Sequence, residues 1–519
     1  MCNTLIYIGS IVKRRDFILS GLAMAGSACS PLSNQFIANI KNINVITGVS
    51  SGEASSDGAI IWSRCDRPAI MHVEVSSDPF FHHTTQFTGG YALAPTDYNA
   101  KTILSGLVPG QTWYYRVFFQ DLVTRGVFSQ KVAGKFKTAP TLKDNIRFCW
   151  SGDTAGQGYG IDPSRDGMLT YHGILEQQPD FFIHCGDLIY ADGPISATKT
   201  LTDGTVWRNI KHNSVSKVAE SIQEFRERYY YNFLDQHFAA LHRNVVTYQQ
   251  WDDHEVKNNW YPGQIIDDNR YKQTEVSWLA EHSKKAMQDC NPIGFGFTQK
   301  QLYRQIEYGP LLDIFMLDMR SFRGPNTDNQ ETEKTHFLGN EQLSWLKKAL
   351  QQSKTTWKII AADMPIGVKV TDWGTNIADN MANIDGPPLG RELEFVDLLS
   401  FIKDNDIDNV HFITADVHYC ASHFYDPNKA QYKHFKPFWE FVSGPLHAGT
   451  FSSNGIDNTF GPQVVFCGVP DDLEPSSPPS DNYQFFGQID IDGTTEILEV
   501  SHYNRLGIKL WSTKIQPLG

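Results

Sequence analysis

Five apolar runs in this chain end on an acid or a histidine. Asp153 follows the run 146–150. Asp187, with Tyr190 three residues on, follows 181–185. Asp253 and His254 follow 245–250, Asp363 follows 357–362, and Asp416 and His418 follow 411–414. A sixth run, 311–317, opens onto Asp318 and Arg320. Carboxylates gathered in one place raise each other's pKa unless a cation neutralises them. Carboxylate oxygens and a phenol select hard, highly charged ions. A pair of metal ions is the economical reading, with Asp187 bridging them.

The elements that must position these side chains are strands. Around Asp187, Pro179 breaks the chain, Phe181 to Cys185 has strand length, and Gly186 permits a tight turn. Asp187 is then held at the C-terminal end of a strand, where α/β sheets place their ligand sites. From about residue 141, strands alternate with helices, predicted over 166–178, within 215–243, over 340–352 and over 391–403. Leu343, Leu346 and Leu350 recur at helical spacing in the third. The C-terminus returns to strands at 483–491, 496–502 and 508–514, the first two joined by a tight Asp492-Gly493 turn. Long polar stretches at 193–214, 262–275 and 452–482 read as lids.

Residues 42–140 read as an all-β unit, with strands at 60–63, 72–75 and 113–119. The segment Leu107 to Tyr114 has the look of a fibronectin-type sandwich corner, in which a Tyr pins the turn. No chemistry is visible there, and packing or substrate shaping is its expected role.

The chain has 519 residues, 41% hydrophobic and 20% charged, as expected of a globular protein with a sizeable core. The formal net charge of -13 and the lack of a basic block argue against a nucleic-acid surface. Residues 1–29 read as a targeting segment. Lys13-Arg14-Arg15-Asp16-Phe17-Ile18-Leu19 resembles a twin-arginine signal, and the apolar stretch after it is too short to span a bilayer. Cleavage near Ala28 is expected. Lipid attachment at Cys29 is the alternative, although Gly26-Ser27-Ala28 makes a poor lipobox. The cysteines beyond this segment (Cys65, Cys149, Cys185, Cys290, Cys420, Cys467) lack CxxC spacing, which excludes a zinc knuckle. Cys149 and Cys185 fall inside core strands and read as buried thiols.

The order Asp153, Gly186-Asp187 with Tyr190, Asp253-His254-Glu255, Asp363 before Pro365, and His418 resembles the metallophosphoesterase superfamily. Tyr190 is similar to the phenol of the purple acid phosphatase branch. Three stretches match the PhoD-type alkaline phosphatases in detail: Trp251-Asp252-Asp253-His254-Glu255-Val256 with Asn258-Asn259, Leu317-Asp318-Met319-Arg320-Ser321-Phe322-Arg323, and Ala415-Asp416-Val417-His418. The resemblance implies a fibronectin-like sandwich over 42–140, then a four-layer α/β/β/α catalytic domain over 141–519. It also implies a secreted or periplasmic enzyme, exported by the twin-arginine machinery, that hydrolyses phosphate esters. Asp153, Asp187, Tyr190 and His418 would hold Fe3+. Asp187, Asp253, Asp363 and Asp416 would face a second ion. Where the wider superfamily has Asn, His and His, this chain has Asp253, Asp363 and Asp416, and an all-oxygen site favours Ca2+, with Mg2+ or Mn2+ as alternatives.

Within that frame His254 orients phosphate or protonates the leaving group. Arg320 forks onto phosphate oxygens or pairs with Asp318. Asn258 and Asn259 cap the substrate or turn the chain, and His447 serves a loop. Expected substrates are small phosphate mono- and diesters. A phospholipase D-like diesterase is the near rival; it would need exposed apolar residues in 193–214, where Ile195, Leu201, Val206 and Trp207 stand. A surface-binding protein with a vestigial metal site is the rival of another class.

Overall fold

Short runs rich in β-branched and aromatic residues, buried along all or nearly all of their length, make the strands that carry the site. The computed structural model describes residues 42–124, 126–294, 301–372 and 374–519. The expected signal segment 1–29, with Cys29, lies outside the described residues.

One sheet has nine strands, in the order Lys509–Ile515, Leu498–Asn504, Phe485–Ile491, Ile146–Ser151, Phe181–Cys185, Val246–Gln250, Val45–Gly52, Ala59–Cys65 and Asn99–Leu104. A second has seven: Arg304–Glu307, Leu312–Met316, Trp357–Ala361, Val410–Thr414, Phe438–Val442, Ala421–Tyr425 and Pro462–Cys467. The inner faces of these sheets share one core, with Trp150, Ile183 and Tyr248 on one side and Ile314, Ile359, Ile413 and Phe441 on the other. Helices Leu169–Glu176, Ile222–Asn232, Gln236–Asn244 and Val276–Cys290 cover the outer face of the first sheet. Asn340–Gln352 and Glu392–Asp404 cover the second. The result is the expected four-layer α/β/β/α sandwich.

The N-terminal strands form a sandwich, but not a self-contained one. Its four-stranded sheet runs Thr85–Ala92, Ala69–Ser76, Thr112–Asp121 and Val132–Lys137. Its other sheet is the far end of the nine-stranded one. Val45–Gly52 pairs in parallel with Val246–Gln250, Ser51 opposite Val246 and Gly52 opposite Thr247. The corner residue also differs from expectation. The Trp113 indole, not Tyr114, reaches back to the turn and donates to the Val108 carbonyl at 3.3 Å. Tyr115, on the strand face opposite Tyr114, is fully buried, and its hydroxyl donates to Arg243 O.

Three loop expectations change as well. The 452–482 stretch contains the edge strand Pro462–Cys467, and 193–214 contains a small hairpin, Thr198–Thr200 with Val206–Arg208. The Asp492-Gly493 turn is a longer loop closed by Asp492 N–H to Ile497 O. The Asp492 carboxylate takes the N–H groups of Thr494 and Thr495, which spreads the reversal over more residues.

Candidate metal centre

Ile146–Ser151, Phe181–Cys185 and Val246–Gln250 run parallel in one sheet, as do Leu312–Met316, Trp357–Ala361, Val410–Thr414 and Phe438–Val442 in the other. Their C-terminal ends therefore open on one side, with the named acids on the first residues beyond. The two sheets are tied there: the Gln250 side-chain amide donates to Leu317 O at 2.9 Å and Ala361 O at 2.8 Å.

The turn after Phe181–Cys185 is tightly specified. Gly186 has φ +102, and a Cβ on it would lie 2.5 Å from the Asp252 Cβ, so only glycine fits. Asp187 follows at φ 54; Asp153, Asp416 and His418 are also left-handed, at φ 68, 66 and 60. Non-glycine residues adopt that region only when the surroundings impose it. One such constraint is Glu255, fully buried. Its carboxylate accepts the backbone N–H groups of Asp187 (3.0 Å), Leu188 (2.6 Å), Ile189 (3.4 Å) and Asp252 (2.7 Å). It thus joins the Asp187 turn to the Asp252-Asp253 turn.

The structure assembles two ligand groups. In the first, Asp153, Asp187 and His418 bring ligand atoms within 4.8 Å of one another. Tyr190 joins them, its hydroxyl 2.9 Å from His418 Nε2 and 3.4 Å from Asp153 Oδ1. His418 Nδ1 bonds the Gly449 carbonyl, which fixes the proton there and leaves the Nε2 lone pair facing Asp153 Oδ1 at 3.0 Å. A lone pair against a carboxylate oxygen is repulsive unless a proton or cation lies between them. The second group is Asp187, Asp253 and His254. Asp187 belongs to both groups.

Asp363 is fully buried and Asp416 half-buried, close to Asp252 and Asp253, but neither enters a three-ligand group among the described residues. Asp153 Oδ2, Asp252 Oδ2, Asp253 Oδ1, Asp416 Oδ2 and both Asp363 oxygens are buried without a hydrogen-bond donor. Burial first, then neighbouring carboxylates, pushes Asp187, Asp363 and Asp416 well above the usual carboxylate range. Buried carboxylates without donors are costly, and cations bound among them would remove that cost. The donor set fits a metal centre.

His254 stacks on Tyr190, ring centroids 4.1 Å apart. Its Nδ1 is 2.7 Å from Asp192 Oδ1 and its Nε2 3.9 Å from Asp253 Oδ1. Burial opposes its charge, but Asp192 and then Asp253 outweigh that and raise it to about 10.

Arg320 requires correction. Its side chain is fully buried. Nε donates to Asp252 Oδ1 at 2.6 Å, and the fork grips Asp379 at 2.9 and 2.8 Å. The phosphate fork is thereby spent on protein carboxylates. The expected pairing with Asp318 is also absent: Asp318 accepts the Trp251 indole and the backbone N–H groups of Arg320 and Ser321. Arg320 supports the Asp252-Asp253 turn. Asn258 and Asn259 work through their backbones, donating to Asp192 Oδ2 at 2.8 Å and Asp253 Oδ2 at 2.6 Å. The Asn259 side-chain amide is taken by Asp372, whereas the Asn258 side chain is exposed. His447 bonds Gly160 O, in keeping with a loop role. In 193–214, Ile195, Leu201 and Trp207 are buried, which removes the exposed apolar lip that a lipid cleft would need.

Reasoning from sequence missed Asp192, Asp252, the bracing role of Glu255, and Asp379. Asp192 carried a signal: an acid two residues beyond Tyr190. Asp379 sits in a loop without any pattern.

Two stacked α/β layers with an acid-rich centre at their common strand ends define a metallophosphoesterase. A family model described as PhoD-like phosphatase matches residues 148–502, and one described as PhoD-like phosphatase, N-terminal domain, matches 31–140. The chain belongs to the PhoD-like phosphatase family and is a phosphoric ester hydrolase. It is 26% identical over 482 residues to alkaline phosphatase D of Bacillus subtilis (strain 168), covering 86% of this chain and 77% of that protein. Among solved structures, "Structure of PhoD" superposes with a TM-score of 0.68 at 19% identity, covering 92% of this chain and 93% of the other. The purple acid phosphatase PPD1 from yellow lupin seeds gives 0.58 at 15% identity, covering 92% and 75%. Both structures share the fold. Among the described residues no helix is long and apolar enough to cross a membrane.

Proposed function

We propose that this chain hydrolyses phosphate mono- and diesters outside the cytoplasm with two metal ions. Asp153, Asp187, Tyr190 and His418 would hold Fe3+. Asp187, Asp253, Asp363 and Asp416 would face Ca2+, with Mg2+ or Mn2+ as alternatives. The observation that supports this reading is the set of buried carboxylate oxygens without donors at the strand ends, on Asp153, Asp252, Asp253, Asp363 and Asp416. The chemistry such ions supply when bound is activation of water and neutralisation of charge on the phosphoryl oxygens. The protein's own residues do the rest. Asp192 holds His254 at Nδ1 and favours its protonated form, whose Nε2–H would protonate the departing alkoxide. Tyr190 fixes the plane of that ring by stacking. Glu255 and Arg320 hold the turns on which Asp187 and Asp253 stand. Export through the twin-arginine machinery is supported by the Lys13 to Leu19 motif.

The test is elemental analysis of the purified protein, with rates on p-nitrophenyl phosphate, bis(p-nitrophenyl) phosphate and phosphatidylcholine before and after EDTA. Iron with calcium, and loss of ester hydrolysis on chelation, are expected. Asp187→Asn should remove activity and metal content together. Iron retained in that variant would show that the bridge is assigned wrongly, and hydrolysis indifferent to chelation would end the two-metal reading.

A further inference from the structure

The chain does not leave the metal centre after Asp153. Thr154 pairs with His447 in an isolated parallel bridge, and the Ala155 and Gly156 N–H groups both donate to His447 O, at 2.7 and 3.3 Å. The turn 153–157 is thereby pinned beside the segment 447–449. Within it, Gly156 lies against the phenol of Tyr190. A Cβ on Gly156 would stand 2.5 Å from Tyr190 Cζ and 2.8 Å from Cε2, so the ring packs directly on the glycine backbone.

Gln157 follows in the left-handed region, at φ 50. A non-glycine residue held there is a reason to look for a role. Its side-chain Oε1 accepts the Gly449 N–H at 3.0 Å. The carbonyl of the same Gly449 accepts the proton on His418 Nδ1. The Gln157 side chain also reaches the Tyr190 hydroxyl, which is itself 2.9 Å from His418 Nε2. Gln157, Gly449, His418 and Tyr190 thus close a ring of polar contacts. The Gln157 carbonyl is fixed as well, by Lys199 Nζ at 2.6 Å, and that ammonium lies 3.9 Å from the centre of the Tyr159 ring. An amide suits this place: it offers an acceptor and a donor without adding charge to a crowd of carboxylates. Groups that hold the far side of metal ligands set their orientation and tautomer.

We infer that Gln157 is a positioning residue for the first ion. It binds no metal; it sets the Tyr190 hydroxyl directly and the His418 ring through Gly449, so that both meet one cation. The inference rests on the reading that Tyr190 and His418 share Fe3+.

The test uses the full chain, stripped with a chelator and reloaded with Fe3+. Fe3+ bound to a phenolate absorbs visible light by charge transfer from ring to metal, and that band reports where the phenol stands. Iron affinity is measured in parallel by competition with a chelator of known strength. Gln157→Met keeps the length of the side chain and removes the amide. It should weaken iron binding about tenfold and move the band to longer wavelength or reduce it. Gln157→Asn keeps the amide but falls one methylene short of Gly449, and the same changes are expected. Circular dichroism melting of the stripped protein identifies a variant that has failed to fold, and the other then decides. The band is the deciding readout. A band unchanged in position and intensity in a folded variant, whatever its iron affinity, would overturn the inference and leave the two-metal reading standing. A wild-type chain that takes up Fe3+ without the band would remove Tyr190 from the ligand set, and the inference with it.

Discussion

Glu255 offers the sharpest test of how the metal centre is built. Each of its oxygens accepts two backbone N–H groups: Oε1 those of Leu188 and Ile189, Oε2 those of Asp187 and Asp252. Glu255→Gln preserves shape but turns an NH2 group toward one of those donor pairs, so two buried N–H groups lose their acceptor. At about 1–3 kcal/mol for each, the loss is about 2–6 kcal/mol, a large share of the 5–15 kcal/mol that keeps a typical domain folded. The Asp187 turn should loosen with it, because its left-handed residue depends on that grip. In urea titrations of the chelated protein the midpoint should fall while the slope stays constant. Metal content and hydrolysis should fall together in the loaded protein. A midpoint shift worth less than about 0.5 kcal/mol, with full metal content, would refute the argument that this carboxylate holds the turns.

Arg320→Met should strand Asp252 as a buried, unpaired charge, leave Asp379 with Arg323 alone at 3.3 Å, and cost about 3–5 kcal/mol in denaturant titration. KM for p-nitrophenyl phosphate should be unchanged in the folded fraction; a tenfold rise in KM at unchanged stability would restore the phosphate fork. Gly186→Ala meets both a positive φ and the Asp252 side chain, so a loss exceeding about 1 kcal/mol and depleted metal are expected from unfolding curves and elemental analysis. Glu392 is raised to about 8 by burial and by Asp457. A carboxyl whose folded pKa lies above its unfolded value stabilises fully below about 4.5, and that stability is lost as pH rises through about 8. The slope approaches 1.4 kcal/mol per pH unit. Glu392→Gln should flatten urea midpoints across that window; an unaltered profile would count against the shift.

The metal centre was legible wherever one residue type answered one local need. An apolar run followed by Gly186-Asp187 marks a strand, a turn and an exposed carboxylate, and the structure builds them there. Legibility failed where the partner is distant. Arg320 reads as a free cation until Asp379, in a loop remote in sequence, takes its fork. Helix Val276–Cys290 escaped notice because no side chain caps its N-terminus at Glu275. Strands Ala421–Tyr425 and Phe438–Val442 are short and interrupted by polar residues buried in specific partnerships. One is His423 with Glu440, which no periodicity announces.

The parallel pairing of Val45–Gly52 with Val246–Gln250 bears on motion. A flexible joint between the N-terminal strands and the metal-bearing strands would have to break a hydrogen-bonded ladder inside a nine-stranded sheet, with Tyr115 and Arg243 bonded alongside it. Opening and closing over a substrate therefore falls to the surface segments above the strand ends, while the frame below moves as one piece.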